Sequence, residues 1–358
     1  MKTSNLKKLI AVGLILAGVA FTPNLRAAVS VFVEGGSASQ SVLYDRATNL
    51  FAGGSFTATG TGSSTVRRFQ GTSLNPTLSG YGTITFDINV ANGAIAGLQN
   101  LVNQSPAAAD TNVLGVRTIP TFVDSATSPE AVGIEANLTP LPTFVVPLVY
   151  IKNTSSADTA AITNLTQRQA VSLEDSTLPA TYFGSSSTKP IYFVGRNSQA
   201  AVRTEIDLNN YNTQTINTYY TNALGQPVLD TSDDPGLTAG GAVANTVLVL
   251  TNAIGTVAVQ NLKSGLAAIA YEGVPYSATN VENGSYPLWG YENYYYITSP
   301  NTGSPTAPQQ AVINAFYQSV TNAAFAVSPV FTNLFIPTAS LRVYRNVDGG
   351  QIFPKSNY

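Results

Sequence analysis

The sequence predicts an α/β protein large enough for two domains. Two observations point to α/β: a strand, a glycine turn and a helix follow one another twice near the start, and a short, nearly unbroken apolar run occurs at 144–151. The third is length. A chain of 358 residues can bury two cores of ordinary size.

The elements follow in order. Residues 29–33 alternate, with Val29, Val31 and Val33 on one face, as a half-buried strand does. Glu34, Gly35 and Gly36 turn the chain. Ser37 or Ser39 can cap a helix running to Phe51, with Val42, Leu43, Ala47 and Leu50 inward. A loop rich in Gly, Ser and Thr spans 53–64. Residues 83–90 alternate again through Ile84, Phe86, Ile88 and Val90. Asn92 and Gly93 turn into a helix over 94–104, whose apolar stripe is Ile95, Leu98, Leu101 and Val102. The repeated pattern is that of a sheet with crossover helices.

Farther on, 113–123 reads as a strand interrupted at Pro120. The run 144–151 reads as a strand buried on both faces. A short helix is expected over 164–174, a strand over 191–194, then a helix reaching Tyr211. Residues 228–241 are polar and turn-rich, and 242–251 read as part helix, part strand. Strands are expected at 254–259, 266–271 and, rich in tyrosine, at 291–297. Pro308 suits the first turn of a helix over 309–325, capped near Ser304 or Thr306. A strand at 341–344 leads into a hairpin-like tail around Asp348, Gly349 and Gly350.

Lys2, Lys7 and Lys8 precede an apolar run over 9–21, too short to span a bilayer, and Ala27 and Ala28 follow. This is the grammar of an export signal cleaved after Ala27, and it implies a periplasmic or secreted protein. Removing it takes four basic residues from 17 and no acidic residue from 19. The remainder is acidic and carries no electrostatic footprint for nucleic acid. Cysteine and histidine are both absent. Disulfides, thiolate or imidazole metal sites, and Ser-His-Asp or Cys-His catalysis are therefore excluded.

The stretch 266–297 carries the most specific signal. Gly273, Val274 and Pro275 form a turn after a strand, and Asn283, Gly284, Ser285, Tyr286, Pro287 and Leu288 follow. This segment resembles the phosphate-type periplasmic solute-binding proteins, the receptors of ABC importers. Ala253, Ile254 and Gly255 resemble a strand of that family, with Thr256 in place of an aromatic residue. The resemblance implies a two-lobed periplasmic-binding-protein fold of type II, each lobe a mixed sheet flanked by helices, joined by two crossovers. It divides the chain into a signal (1–27), a first lobe (28–149 with 284–358) and a second lobe (150–283).

The family holds an oxyanion between its lobes with hydroxyls, backbone N–H groups at helix N-termini, one Arg and one Asp. Helix N-termini offer unpaired donors and partial positive charge, which suits an anion. By resemblance the ligand positions here are Ser37 and Ser39 at the first glycine turn, and Asn92, Gly93 and Ala94 at the second. Asp124 follows, then Arg196, Asn197, Ser198 and Arg203. The chain departs from the family where Ala200, Ala201 and Val202 replace Ser-Gly-Thr. Each lost hydrogen bond to a charged ligand is worth roughly 1.5–3 kcal/mol, so two lost hydroxyls weaken phosphate by about two to four powers of ten.

The resemblance thus implies a monomeric, non-enzymatic receptor for a small oxyanion, phosphate or related, or a polar solute. It would hand this cargo to an ABC permease, without a cofactor. The alternative is a structural or cell-surface protein that keeps two lobes without a ligand. Plain structural roles are open for the same residues: Ser37 and Ser39 as caps, Asp124 as a turn residue, Arg196 in local pairing. The carboxylate pairs Glu174–Asp175 and Asp233–Asp234 form no nucleophile–base–orienter set.

Overall fold

The computed structural model describes residues 27–60, 65–106, 118–134, 136–214, 216–322 and 334–356. The expected export signal, the first part (113–117) of the strand proposed at 113–123 and the end of the helix proposed at 309–325 lie outside them. The first half contains β1 (Val29–Gly35), α1 (Gln40–Asn49), β2 (Phe56–Thr59), β3 (Val66–Gly71), β4 (Ile84–Asn89), α2 (Ala94–Val102), β5 (Phe122–Ser125) and β6 (Leu138–Asn153). The second half contains α3 (Gln167–Asp175), β7 (Pro190–Val194), α4 (Ala201–Asn210), α5 (Gly240–Val249), β8 (Ala253–Ala258) and β9 (Leu266–Tyr271). It closes with α6 (Ala278–Glu282), β10 (Trp289–Ile297) and α7 (Ala307–Thr321). Two-residue strands and small hairpins fill the connections.

The strands make a mixed sheet in the order β2-β3-β4-β1-β5-β10-β6. β1 lies parallel to β4 and β5, as crossover helices α1 and α2 require. β10 returns antiparallel between β5 and β6. β6 then does double duty. Leu138 to Pro147 pair with β10, whereas Leu148 to Lys152 pair with β8 and Tyr150 to Asn153 pair with β9. β7 extends this second sheet, parallel to β8. The result is a two-lobed α/β fold in which one sixteen-residue strand belongs to both sheets.

Packing follows the apolar pattern. Val145, Val146, Leu148, Val149, Tyr150 and Ile151 are all essentially inaccessible, as expected of a strand covered on both faces. The aromatic strand β10 packs into the sheet: Tyr294 stacks on Phe316 of α7 at 5.5 Å and meets Phe122 of β5 edge-on at 5.3 Å. Phe86 of β4 completes the cluster, 4.8 Å from Phe316.

Local signals set several helix ends. Thr306 caps α7 with a reciprocal bond pair to Gln309, and Thr166 does the same for α3 with Gln169. Thr306→Ala removes one such box and should cost about 1 kcal/mol of unfolding free energy, read by chemical denaturation. A change under about 0.3 kcal/mol would mean water replaces the cap without loss. Among the described residues no helix is long and apolar enough to cross a membrane.

Candidate functional site

The two glycine turns come together. β1 ends beside β5, so that the Gly36 amide donates to the Asp124 carbonyl at 3.3 Å. Ser39 starts α1, yet its hydroxyl does not cap the helix. It donates instead to Asp124 Oδ2. A Cβ placed on Gly36 would lie 3.6 Å from the Ala94 Cβ, so the start of α2 adjoins the start of α1. Five of the ten predicted positions, Ser37, Ser39, Gly93, Ala94 and Asp124, therefore converge where two helix N-termini meet.

The segment before α4 closes over this point. The Ile95 amide, in the first turn of α2, donates to the Gln199 carbonyl at 3.3 Å. Gly93 stands at φ +91°, and a Cβ there would fall 2.3 Å from that same carbonyl oxygen. Only glycine satisfies both the backbone angle and the contact. Gly93→Ala should cost about 1–3 kcal/mol through strain and should part α2 from the 196–200 segment. Amide exchange at Ile95 reads the second effect, and unchanged protection there would contradict the contact. From the other sheet, Gln260 reaches the start of α1: its Nε2 donates to the Ser37 carbonyl at 2.6 Å, and Ser41 Oγ donates to its Oε1 at 2.9 Å.

The remaining predicted positions are engaged nearby but turned aside. Asn92 donates to Glu34 at 2.8 Å. Arg196 is buried and gives its Nε and Nη2 to the Leu237 and Thr238 carbonyls at 2.9 and 2.7 Å. The Asn197 amide donates to the Leu237 carbonyl at 3.3 Å and the Ser198 amide to Asp234 at 2.7 Å. Arg203 faces Asp207 one helical turn on, at 3.5 Å, and donates to the Pro235 carbonyl. Both arginines thus brace the 196–203 segment against the 234–238 loop.

Burial sets the electrostatics. Asp124 is inaccessible to solvent, and its carboxyl is pushed up to about 6 by burial, against hydrogen bonds from Glu292 and Ser39 that favour the carboxylate. Glu292, on β10 behind Asp124, is raised well above the usual carboxylate range by burial and by the Asp124 charge. Three buried polar atoms around the junction have no partner: Ser37 Oγ, Asp124 Oδ1 and Gln199 Oε1. Hydroxyls and helix N–H groups can donate to an oxyanion, while Asp124 can accept a proton that the oxyanion carries.

The sequence reading missed Gln199, Gln260 and Glu292. Glu292 had a signal, a lone carboxylate within an otherwise aromatic strand. The glutamines had none, because their roles come from contacts distant in sequence. Among the described residues no group of three or more acidic side chains is arranged to hold a metal ion. Cavities among the described residues also lie elsewhere. One of about 480 Å³ is bounded by Pro142, Tyr317 and Pro337, and one of about 280 Å³ by Tyr291, Arg345 and Asp348.

No family model matches the chain, and no curated protein does. Solved structures do. A Clostridium perfringens protein with bound phosphate, described as a phosphate ABC transporter substrate-binding protein, is 14 % identical. It superposes with a TM-score of 0.58 over 86 % of this chain and 99 % of its own. An ABC-type phosphate transport receptor of Vibrio cholerae is also 14 % identical, with a TM-score of 0.53 over 83 % of this chain and 97 % of its own. The resemblance carried by Gly273 to Pro275 and Asn283 to Leu288 holds at the level of architecture: the chain has the fold of phosphate-type solute-binding proteins.

Proposed function

We propose that the protein is an exported, non-enzymatic solute-binding protein that takes a small oxyanion, phosphate or a related one, at the junction of α1 and α2. It would act as a monomer and deliver its cargo to an ABC permease. The observation that carries this reading is the convergence of two helix N-termini on Ser37, Ser39 and Asp124, with Ser37 Oγ and Asp124 Oδ1 buried and unpartnered. Gly93 and Ala94 offer backbone donors to the same point. Asn92, Arg196, Asn197, Ser198 and Arg203 hold the surrounding segments. The lobes would divide at 149/150 and 283/284 and close by hinge motion.

Thermal-shift titration with phosphate, sulfate and molybdate tests the proposal. A ligand at 100 times its dissociation constant adds about 2.7 kcal/mol of stability. A shift with one anion, lost in Ser39→Ala, supports it. A second reading, a two-lobed scaffold without ligand, draws on the Ile95 amide, whose donor is already taken by the Gln199 carbonyl. The absence of any shift across anions and polar metabolites favours that reading.

A further inference from the structure

Behind the junction lie three carboxyl groups from three elements. Asp124 on β5, Glu292 on β10 and Glu205 on α4 are each 0–1 % exposed. One oxygen of each is buried without a hydrogen-bond partner: Asp124 Oδ1, Glu205 Oε2 and Glu292 Oε2. Glu205 belongs to the part of the chain proposed as the second lobe, the other two to the first. Its carboxyl enters over a glycine. A Cβ on Gly290 of β10 would stand 3.0 Å from Glu205 Cγ and 2.7 Å from the Ala126 carbonyl oxygen. Only a residue without a side chain lets α4 come this near.

The surroundings offer little to offset negative charge. Among the described residues none of the three makes an ion pair. Ser39 donates to Asp124, and Thr127 Oγ1 lies 3.3 Å from Glu205 Oε1. Tyr294 of β10 faces Asp124 and Glu292, its own hydroxyl buried and unpartnered, and Tyr295 lies near Glu292. Arg46 of α1 acts on Tyr294. From the C-terminal segment, Arg345 favours the charge on Glu205 and Asp348 opposes it. Burial is the largest influence on all three acids and favours their protonated forms.

We propose that Asp124, Glu205 and Glu292 form a proton-held latch between the two lobes. The closed arrangement keeps protons on this cluster, and losing them drives the lobes apart. Asp124 and Glu292 share a hydrogen bond, which needs a proton on one of them. Buried carboxylates without a countercharge are unfavourable, and separating α4 from β10 returns them to water. Closure therefore takes up protons, and alkaline conditions favour the open form. The latch rests on the two-lobed receptor reading for its purpose, which would be to make solute retention depend on pH. Its geometry needs no ligand.

Small-angle scattering on the ligand-free chain, from about pH 5 to about pH 9, reads the transition. The radius of gyration should rise with pH in the wild type and stay constant in the Glu205→Gln/Glu292→Gln double variant. A constant radius in the wild type, or the same rise in the variant, would overturn the latch. Should the variant fail to fold, ¹³C-carboxyl titration of the wild type decides, with the Glu174 resonance assigned by Glu174→Gln and set aside: another glutamate titrating well above its ordinary range in step with the expansion supports the latch, and every glutamate but Glu174 titrating in its ordinary range refutes it. A pH-dependent radius without any phosphate shift would leave the latch standing and remove the oxyanion reading. A phosphate shift with a constant radius would do the reverse.

Discussion

The melting temperature of the protein should fall by several degrees as pH rises from about 5 to about 8, opposite to the behaviour of proteins held by paired surface carboxylates. The cause is a set of buried acids, Glu205 and Glu292 among them, and one of these is Glu174 of α3. Its carboxylate is fully enclosed. It accepts from Tyr150 at 2.6 Å, Asn210 at 3.0 Å and Asn212 at 2.9 Å. Burial outweighs these donors and pushes the group from 4.5 up to about 7. The folded state therefore binds a proton that the unfolded chain has released. The contribution is fully present below 4.5 and is lost as pH climbs through about 7. A gap of this size corresponds to roughly 3 kcal/mol at 1.36 kcal/mol per unit.

Asp207 and Asp124, both pushed up to about 6 by burial, steepen the fall between about 4 and 6. Asp158 and Asp230 are shifted the other way, by hydrogen bonds from neighbouring side chains and backbone. Their contribution is present above 3.8 and is lost only under more acidic conditions, so it does not cancel the trend. Glu174→Gln should flatten the curve by its own share while adding a modest cost at acid pH, because an amide group then faces Asn212. Melting temperatures that rise from pH 5 to 8 would refute the assignment. An unchanged slope in Glu174→Gln would place the effect on other groups.

Much of the scaffold was legible in the sequence because it is written in apolar spacing. β9 occurs at the predicted residues, and β4, α2 and β10 lie within two residues of them at either end. The misses have physical reasons. β2 lies inside the predicted loop: all four of its residues are exposed, and although Phe56 stacks on Phe51 at 5.1 Å, two apolar residues amid Gly, Ser and Thr are too short a pattern to mark a strand. β6 runs longer than the apolar run 144–151, because Pro140 and Pro142 argue against a central strand. The structure admits them with a register shift in β10 between Glu292 and Asn293, opposite Pro142. α5 starts at Gly240, where propensity opposes a helix, because Asn261 packs against that glycine.

The candidate site was legible in a different way. Spacing alone placed Ser39 and Gly93 at helix starts, and resemblance added Asp124. Partner choice was not legible. Ser37 or Ser39 was expected to cap α1, yet the Ser39 hydroxyl turns to donate to the buried Asp124 carboxyl, and its oxygen accepts from no amide of the helix. Arg196 sits at the predicted loop, yet its guanidinium satisfies the orphan carbonyls of Leu237 and Thr238. Both outcomes depend on groups at least 40 residues away in the chain, which no local pattern encodes.

Trp289→Ala should destabilise the protein by about 3–5 kcal/mol, among the largest effects expected of one substitution. Trp289 opens β10, is completely buried and packs edge-on against Tyr291 at 5.1 Å. The Arg345 guanidinium lies 4.1 Å above its ring, and Arg345 Nη1 donates to the Trp289 carbonyl at 3.0 Å. Truncation removes the ring and with it the electrostatic face that covers a buried cation, a contact worth up to about 2 kcal/mol when desolvated. The indole N–H has no partner, so Trp289→Phe forfeits no hydrogen bond and should lose much less, chiefly part of the stack. This is the chain's single tryptophan, so far-UV circular dichroism under denaturant is the measurement, not fluorescence. A loss under about 1 kcal/mol in Trp289→Ala would mean that the Arg345–Trp289 stack does not anchor the return of the chain into the first sheet. A Phe variant as unstable as the Ala variant would mean that indole shape, more than the cation above it, holds this corner together.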